Sequence, residues 1–462
     1  MPFGGYGSVC FNGDLAIKQT ALFDKNGFIM GCNLNEAVIS ATPRNLPNVM
    51  QPTKVSVSSD MTHRRLGLWN CNVSGATVEV TMEKGKITLA DFIRTTPFMA
   101  RMAMFSKVLE DLVIGLHHLH KDAGMVHCDM KPMNVVLLPN GNWTIIDFGS
   151  CRHYKRCVLG GSALCTYPFA SPEVLDGMKQ STRTAIDLSP AIDAYSLGAT
   201  LYYYIFKGYL YNTEKFKNPR DILEAMKSEA TWGGAPIECP NGCPQWAFDI
   251  VIGLIEKNPA KRISITTLYD MVAAMTLNSD NVNNNNKVIV EKTNAKAAFV
   301  IMDPLTPPSA SIAKRDRAVE HIHDLCNSHG TLECFALAVN IMDRYATSRR
   351  QSKNSSVKTK HMFNRSELET FKTLAELTMY PDTDVAPVQW TRTLLIDIVT
   401  TLGFKLYADT VDYLLVEKLR HSEVDYILLK DALVQGDGST DKVLELYLGY
   451  KDFIDLLCDD TI

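Results

Sequence analysis

A short segment of the chain carries side chains that can act together on a phosphate group. Asp129, Lys131 and Asn134 fall within six residues, and Asp147 follows in Asp-Phe-Gly. Transfer of a phosphoryl group to a hydroxyl needs a carboxylate that orients the hydroxyl and accepts its proton. It also needs oxygen ligands for Mg²⁺ and cations that offset the negative charge. These residue types meet each need, so the segment predicts a phosphoryl-transfer site.

The order and spacing of these residues resemble the catalytic loop and the metal-binding segment of the protein kinase family. The resemblance implies an α+β bilobal protein kinase fold that uses ATP and Mg²⁺ and acts on protein substrates. It also implies that Asp129 is the catalytic base and that Lys131 contacts the γ-phosphate. Asn134 and Asp147 would be the two metal ligands.

The residues ahead of this segment resemble the nucleotide-binding half of a kinase domain. Gly4 and Gly7 fit the end of a glycine-rich loop, in which backbone amides approach the phosphates closely. Pro2 stands where the first glycine of that loop usually falls. The resemblance assigns Lys18 to the α- and β-phosphates and Glu36, on a helix, to the role of its partner.

The same resemblance predicts an adenine site. It places Val9, Ala16 and Val136 on the two faces of the ring and makes Met82 the residue at the back of the pocket. Glu83 then falls in the hinge, where backbone groups hydrogen-bond adenine.

Three further matches predict structural roles rather than chemical ones. Ser171–Glu173 resembles the end of a kinase activation segment, and Arg262 resembles the buried partner of its glutamate. Asp193 resembles the helix aspartate that braces the catalytic loop. The resemblance therefore covers nearly all of residues 1–277.

The hydroxyl that accepts phosphate is predicted to belong to serine or threonine. Lys131, two residues after the base, is typical of serine/threonine kinases, and Thr166, seven residues before Glu173, fits the same class. Tyrosine is the alternative acceptor.

One residue departs from the family pattern. Cys128 stands where His-Arg-Asp has its arginine, and that arginine commonly binds a phosphate on the activation loop. A phosphate at Ser162, near the usual site, would lack this partner. The departure predicts that something other than loop phosphorylation orders the loop and the glutamate helix.

A polar tract divides the chain. Residues 278–287 are mostly Asn, and such a segment buries too little apolar area to offset its ordering entropy. We therefore predict a kinase domain over 1–277, with lobes of about 1–84 and 85–277, then a linker over 278–300. The predicted strands are Ser8–Phe11, Leu15–Gln19, Thr53–Ser58 and Ala76–Met82, and the helices Leu34–Ala41, Phe105–His120, Ala191–Lys207, Pro219–Glu229 and Gln245–Glu256.

The part after the linker, 301–462, shows helical periodicity throughout. Arg317–Asp324, Leu337–Tyr345 and Thr401–Leu415 resemble, in that order, segments of the cyclin box, with the best match over 310–420. The resemblance implies an all-α cyclin-like domain in which Arg317 pairs with Asp343. A generic helical bundle is the alternative. The predicted helices are Ile312–Ser328, Leu332–Tyr345, Arg365–Thr378, Val388–Leu402, Ala408–Arg420 and Lys442–Leu457.

The pairing of these two domains predicts regulation in cis. A cyclin-like domain beside the glutamate helix favours the active geometry, and a tether raises its effective concentration. The expected partners are protein substrates, the intramolecular cyclin-like domain and cyclin- or kinase-type proteins. The combination resembles kinase–cyclin proteins of large DNA viruses. The alternative is a pseudokinase scaffold that binds partners through both folds.

Composition narrows the class of protein. The net charge of −4 gives no reason to expect nucleic acid or a membrane surface as a partner. The 12 cysteines are too dilute for a disulfide scaffold, and Cys239 and Cys243 predict a turn rather than a metal site. The start, MPFGGYGSVCF, lacks the apolar run of a signal peptide. These features predict an intracellular protein.

Overall fold

The structure is a computed structural model of the 462-residue chain. Two regions of secondary structure follow one another, one mixed and one helical. The structure describes residues 3–4, 7–23, 29–41, 46–58, 64–65, 72–73, 76–153, 157–159, 165–179, 185–211, 222, 238–280, 312–327, 332–351, 363, 365–379, 391–404 and 406.

A five-stranded antiparallel sheet forms the first lobe. Its strands lie in the order β1 (Phe3–Gly4), β2 (Gly7–Asn12), β3 (Leu15–Ala21), β7 (Thr77–Glu83) and β4 (Lys54–Ser58). Residues 77–81 alternate half-buried and buried side chains, as expected of a strand with one face on a core. The strands of this lobe are β1 (Phe3–Gly4), β2 (Gly7–Asn12), β3 (Leu15–Ala21), β4 (Lys54–Ser58), β5 (Arg64–Arg65), β6 (Asn72–Val73) and β7 (Thr77–Glu83).

One helix, α1 (Gly31–Ala41), accompanies this sheet, and the prediction that it begins at Leu34 is three residues late. Nine of its residues are buried, which is more than one face of a helix can hide. The helix is therefore covered on more than one side.

The second lobe is mainly helical and has its own core, built chiefly from α4 (Phe105–Lys121) and α6 (Pro190–Phe206). Its helices are α2 (Leu89–Thr95), α3 (Phe98–Ala103), α4 (Phe105–Lys121), α5 (Pro172–Lys179), α6 (Pro190–Phe206), α7 (Gln245–Leu254) and α8 (Ile265–Asp280). Its short strands are β8 (Ile87–Thr88), β9 (Met125–Val126), β10 (Val135–Leu137), β11 (Trp143–Ile145), β12 (Arg152–His153), β13 (Cys157–Leu159) and β14 (Ala185–Asp187).

The predicted pair between Glu173 and Arg262 is present. The two guanidinium nitrogens of Arg262 lie 2.6 Å and 3.0 Å from the carboxylate oxygens of Glu173. Arg262 also donates to the carbonyl of Ala191 at 2.7 Å, and its side chain is fully buried. The pair therefore joins the end of the activation segment, in the first turn of α5, to the start of α6.

Replacing Arg262 by methionine is expected to lower the free energy of unfolding by about 3–5 kcal/mol, because Glu173 would lose the charge that compensates its carboxylate. Arg94→Met is the matched control. Arg94 pairs with Asp91 in an exposed position, so its loss should cost less than about 1 kcal/mol. Urea unfolding of both variants checks the difference, and equal losses would contradict it.

Four helices follow the second lobe, at or near the predicted places. They are α9 (Ile312–Asn327), α10 (Leu332–Gln351), α11 (Arg365–Met379) and α12 (Thr391–Thr401). α11 lies against α1, and α12 lies against β4. Buried residues of α1, β7 and these four helices form one hydrophobic cluster, which we call the second core. The first lobe and the C-terminal helices thus share a core.

The predicted pair between Arg317 and Asp343 is wrong. Arg315 binds Asp343 instead, with Nε at 2.9 Å and Nη2 at 2.7 Å from its carboxylate oxygens. The reason is helical phase. Ala318 and Val319 are buried, and Arg315 lies three and four residues before them on the same face of α9. Arg317 points to solvent.

The two arginines of α9, Arg315 and Arg317, allow a matched test of which one pairs with Asp343. Arg315→Met should destabilise the protein by about 3 kcal/mol, because Asp343 would stay largely buried without its cation. Arg317→Met should change the free energy of unfolding by less than about 0.5 kcal/mol, as expected of a surface substitution. Thermal unfolding of the two variants decides, and a larger effect at Arg317 would restore the original assignment.

Several predicted helices end at other residues in the structure, and other predicted segments lie outside the described residues. α6 stops at Phe206, one residue before the predicted end, and α8 runs to Asp280, into the predicted linker. The rest of the linker, Ser162, most of Pro219–Glu229 and the helices Ala408–Arg420 and Lys442–Leu457 lie outside the described residues. The domain limits stay a prediction. Within the described ranges, no helix has the length and apolar character needed to cross a membrane.

Candidate active site

A lysine on the sheet joins two carboxylates from different elements. Lys18 Nζ lies 2.6 Å from Glu36 Oε1 and 2.8 Å from Asp147 Oδ1. Lys18 is on β3, Glu36 on α1, and Asp147 follows β11. The pairing predicted between Lys18 and Glu36 is thus present in the structure, and Asp147 joins it. The pair forms only when α1 lies close enough to β3 for Glu36 to reach Lys18.

Lys18 and Asp147 each stabilise the charged form of the other, whereas burial raises the pKa of Glu36. Burial disfavours the charged form of Lys18, but Asp147 and Glu36 outweigh it and raise the pKa above its ordinary value. Burial likewise opposes ionisation of Asp147, yet the charge and hydrogen bond of Lys18, aided by His127 and Lys131, lower its pKa to about 2. Asp147 is therefore a carboxylate at neutral pH, the form that binds a cation.

A second group gathers around Asp129. Its Oδ1 accepts the backbone N–H of Thr166 at 2.8 Å. Its Oδ2 accepts Lys131 Nζ at 2.5 Å and Asn134 Nδ2 at 3.2 Å. Lys131 also donates to Thr166 Oγ1 at 2.7 Å. The three hydrogen bonds to Asp129 fix the orientation of its carboxylate, as a proton acceptor at a reacting centre requires, and the contact to Thr166 holds Lys131 in place.

Asp193 on α6 holds the backbone of the catalytic loop, as predicted. Its carboxylate accepts the N–H of His127 at 2.6 Å and that of Cys128 at 2.9 Å. The ring of His120 lies 2.8 Å from the same carboxylate. Cys128 has a φ of 65°, a left-handed conformation that costs energy for a residue with a side chain. The buried hydrogen bonds to Asp193 offset that strain.

The two proposed metal ligands fit Mg²⁺ in their chemistry. Mg²⁺ prefers oxygen donors and typically takes one or two carboxylates along with substrate phosphates. The amide nitrogen of Asn134 donates to the carbonyl of Asp129 at 2.9 Å, so its amide oxygen is the atom left for a cation. Asp147 supplies a carboxylate that is 40% exposed. These two residues would supply the oxygen ligands that the chain offers to the metal.

The glycines of the predicted phosphate loop lie on a hairpin. Gly4 on β1 pairs with Gly7 on β2. A Cβ on Gly7 would lie 2.6 Å from the carbonyl oxygen of Gln19, so only glycine fits this close approach of β2 to β3. The requirement for Gly7 is thus visible in the sheet itself.

The predicted adenine residues line the strands beside Lys18. Val9 pairs with Lys18, and Ala16 pairs with Met82, so the sheet brings these positions together. Glu83 is exposed at the end of β7.

Val136 comes from β10 in the other lobe. A Cβ on Gly85 would lie 2.7 Å from that of Val136, which shows that the connection between the lobes passes directly over this residue. The sequence reasoning missed Gly85, although a glycine after the predicted hinge was a usable signal.

Comparison with known proteins agrees with this geometry. Residues 60–272 match the family model described as the protein kinase domain. The serine/threonine-protein kinase ppk34 of Schizosaccharomyces pombe is 27% identical over 162 residues, which is 35% of this chain and 42% of that protein. The serine/threonine-protein kinase TOS3 of Saccharomyces cerevisiae is 30% identical over 182 residues, 35% of this chain and 30% of that protein. The dual specificity protein kinase Ttk of Danio rerio is 24% identical over 209 residues, 44% of this chain and 20% of that protein.

The chain therefore contains a protein kinase domain. The matched span begins at residue 60, so Lys18 and Glu36 precede it, and their assignment depends on the geometry around Asp147. The chain spans less than half the length of each of these three relatives.

Proposed function

We propose that this chain is an ATP-dependent protein kinase that transfers the γ-phosphate to serine or threonine hydroxyls of proteins. The observation that carries the proposal is the joining of Lys18 to both Glu36 and Asp147. This arrangement sets a half-buried cation and a carboxylate suited to a metal ion side by side, as phosphoryl transfer requires.

The described residues divide the chemistry between them. Lys18 binds the α- and β-phosphates, and Lys131 balances charge on the phosphoryl group that moves. Asp129 orients the substrate hydroxyl and accepts its proton. Asn134 and Asp147 would hold Mg²⁺, which would supply positive charge to offset that of the phosphates. The sheet and Val136 enclose the adenine.

The preference for serine and threonine is supported by the contacts of Lys131. Its ammonium lies between Asp129 and Thr166, so the base, a cation and the activation segment form one group. The names of ppk34 and TOS3 agree with this class, and that of Ttk keeps dual specificity as the alternative.

The test is phosphate transfer from labelled ATP with Mg²⁺, to the chain itself and to a generic protein substrate, followed by phosphoamino acid analysis. We expect phosphoserine and phosphothreonine, and a signal that Asp147→Ala reduces to background. Transfer that persists in Asp147→Ala would show a contaminating kinase. No transfer by the wild-type chain would favour the pseudokinase scaffold.

We also propose that the C-terminal helices act as a cyclin-like domain and regulate the kinase domain in cis. Three features support this: α11 lies against α1, the second core includes both, and Arg315 and Asp343 form a buried pair of the kind the resemblance implies. A viral origin and cyclin- or kinase-type partners stay predictions. An intracellular location also stays a prediction. None of the described cysteines forms a disulfide.

A further inference from the structure

Two backbone carbonyls, that of Gly149 in Asp147-Phe-Gly and that of Cys151 two residues later, are each held by two side chains. The carbonyl of Cys151 accepts Asn35 Nδ2 at 3.0 Å and Arg152 Nη1 at 2.9 Å. The carbonyl of Gly149 accepts the same two nitrogens, at 3.4 Å and 3.0 Å. Asn35 and Arg152 are both only 5% exposed. We call this arrangement the carbonyl clamp, formed by Asn35 and Arg152.

The carbonyl clamp joins three elements that the active site needs in register. Asn35 precedes Glu36 on α1, so consecutive residues of this helix contact the activation segment and Lys18. Arg152 is on β12, which pairs with β9 ahead of the catalytic loop. A shift of α1 would therefore break the contact to Cys151 along with the one to Lys18.

Cys128 shows why such a clamp matters in this chain. Its side chain is buried in an apolar cluster with Val126, Val174 and Ile192. Burial, with Asp193 nearby, raises the pKa of the Cys128 thiol, so the side chain is neutral. A neutral thiol offers a loop phosphate no charged partner. The acceptors of the carbonyl clamp are backbone oxygens, so its hydrogen bonds form without any phosphate.

We propose that Asn35 and Arg152 are positioning residues that hold the start of the activation segment against α1 and replace a loop phosphate in that role. The proposal rests on the proposed kinase function. It explains how a chain with Cys128 keeps Asp147 beside Lys18, and it makes α1 the element through which the C-terminal helices reach the activation segment.

The test compares two asparagines on one helix, in the full 462-residue chain. Asn33 is as buried as Asn35, and its Nδ2 donates to the carbonyl of Ala21 at 2.7 Å, within the first lobe. Asn35→Ala should lower kcat about tenfold with little change in KM for ATP, which corresponds to one lost hydrogen bond of ordinary net strength. Asn33→Ala should lose a similar stability and keep kcat. Equal losses of kcat would overturn the proposal.

A second readout needs no activity. Backbone amide hydrogen exchange over residues 151–153, followed by mass spectrometry, should become faster in Asn35→Ala and stay as in the wild type in Asn33→Ala. Unchanged exchange in Asn35→Ala would refute the carbonyl clamp. If the wild-type chain transfers no phosphate, the proposed function fails, and the exchange comparison still tests the carbonyl clamp by itself.

A third arm addresses the phosphate. The chain freed of phosphate by a phosphatase, and checked by mass spectrometry, should keep its kcat. A fall to the level of Asn35→Ala would show that a loop phosphate does the positioning. The double variant Asn35→Ala, Arg152→Met should raise the activation free energy for kcat by less than the sum of the two single variants. The reason is that both residues hold the same carbonyls. In the control double variant Asn33→Ala, Arg152→Met, the two effects on the activation free energy should add. If the effects add in both double variants, Asn35 and Arg152 do not position the segment together.

Discussion

Asp129→Asn is expected to lower kcat for phosphate transfer by about a thousandfold, within the range for removal of a general base. The amide keeps the shape of the side chain but cannot accept the proton of the substrate hydroxyl. It also presents an N–H where Lys131 and Asn134 now donate. Lys18, Glu36 and Asp147 are untouched, so ATP should still bind.

The measurement pairs initial rates with a binding titration of a fluorescent ATP analogue. Asp249→Asn is the control, because Asp249 is an exposed aspartate on α7 whose hydrogen bond is to Gln245. That variant should match the wild type in both assays. If Asp129→Asn keeps its rate, Asp129 is not the base. If it loses ATP binding as well, the loss of rate reports a collapsed cleft rather than a missing proton acceptor.

The local part of the site was predictable because the chain itself sets the distances. Asp129, Lys131 and Asn134 are a few residues apart, so any ordered loop brings them together. The partner of Lys18 was predictable only through the resemblance to protein kinases, which assigns this lysine a carboxylate on the following helix, and Glu36 is that residue. Short separation in the chain thus gave the first group, and the family pattern gave the second.

Two features were not predictable, for physical reasons. Choosing Arg315 or Arg317 as the partner of Asp343 depends on the phase of α9, and two residues along a helix turn a side chain by about 200°. The carbonyl clamp has no signature at its acceptor end, since every residue carries a carbonyl. The second core depends on contacts between elements far apart in the chain.

Separating the C-terminal helices from the kinase domain is expected to lower kcat by about tenfold to a hundredfold, the usual range of coupling between two sites. Leu34 and Val38 on α1 are buried in the second core, which α9 to α12 complete. Removal of those helices would expose apolar surface beside α1, at a free-energy cost of about 25 cal/mol for each Å² exposed. α1 would then leave the position in which Glu36 holds Lys18.

A protease site inserted between residues 290 and 300 allows the chain to fold intact and be cut afterwards. The cut but unseparated protein should stay active if the second core holds the parts together. The isolated 1–290 part should lose activity, and the 300–462 part, added back, should restore it only at concentrations well above those of the assay. The tether supplies an effective concentration near the millimolar range, which added fragment cannot match. Equal activity of the isolated part with and without its partner would end the proposal of cis activation and leave the helices a role in recruiting substrate.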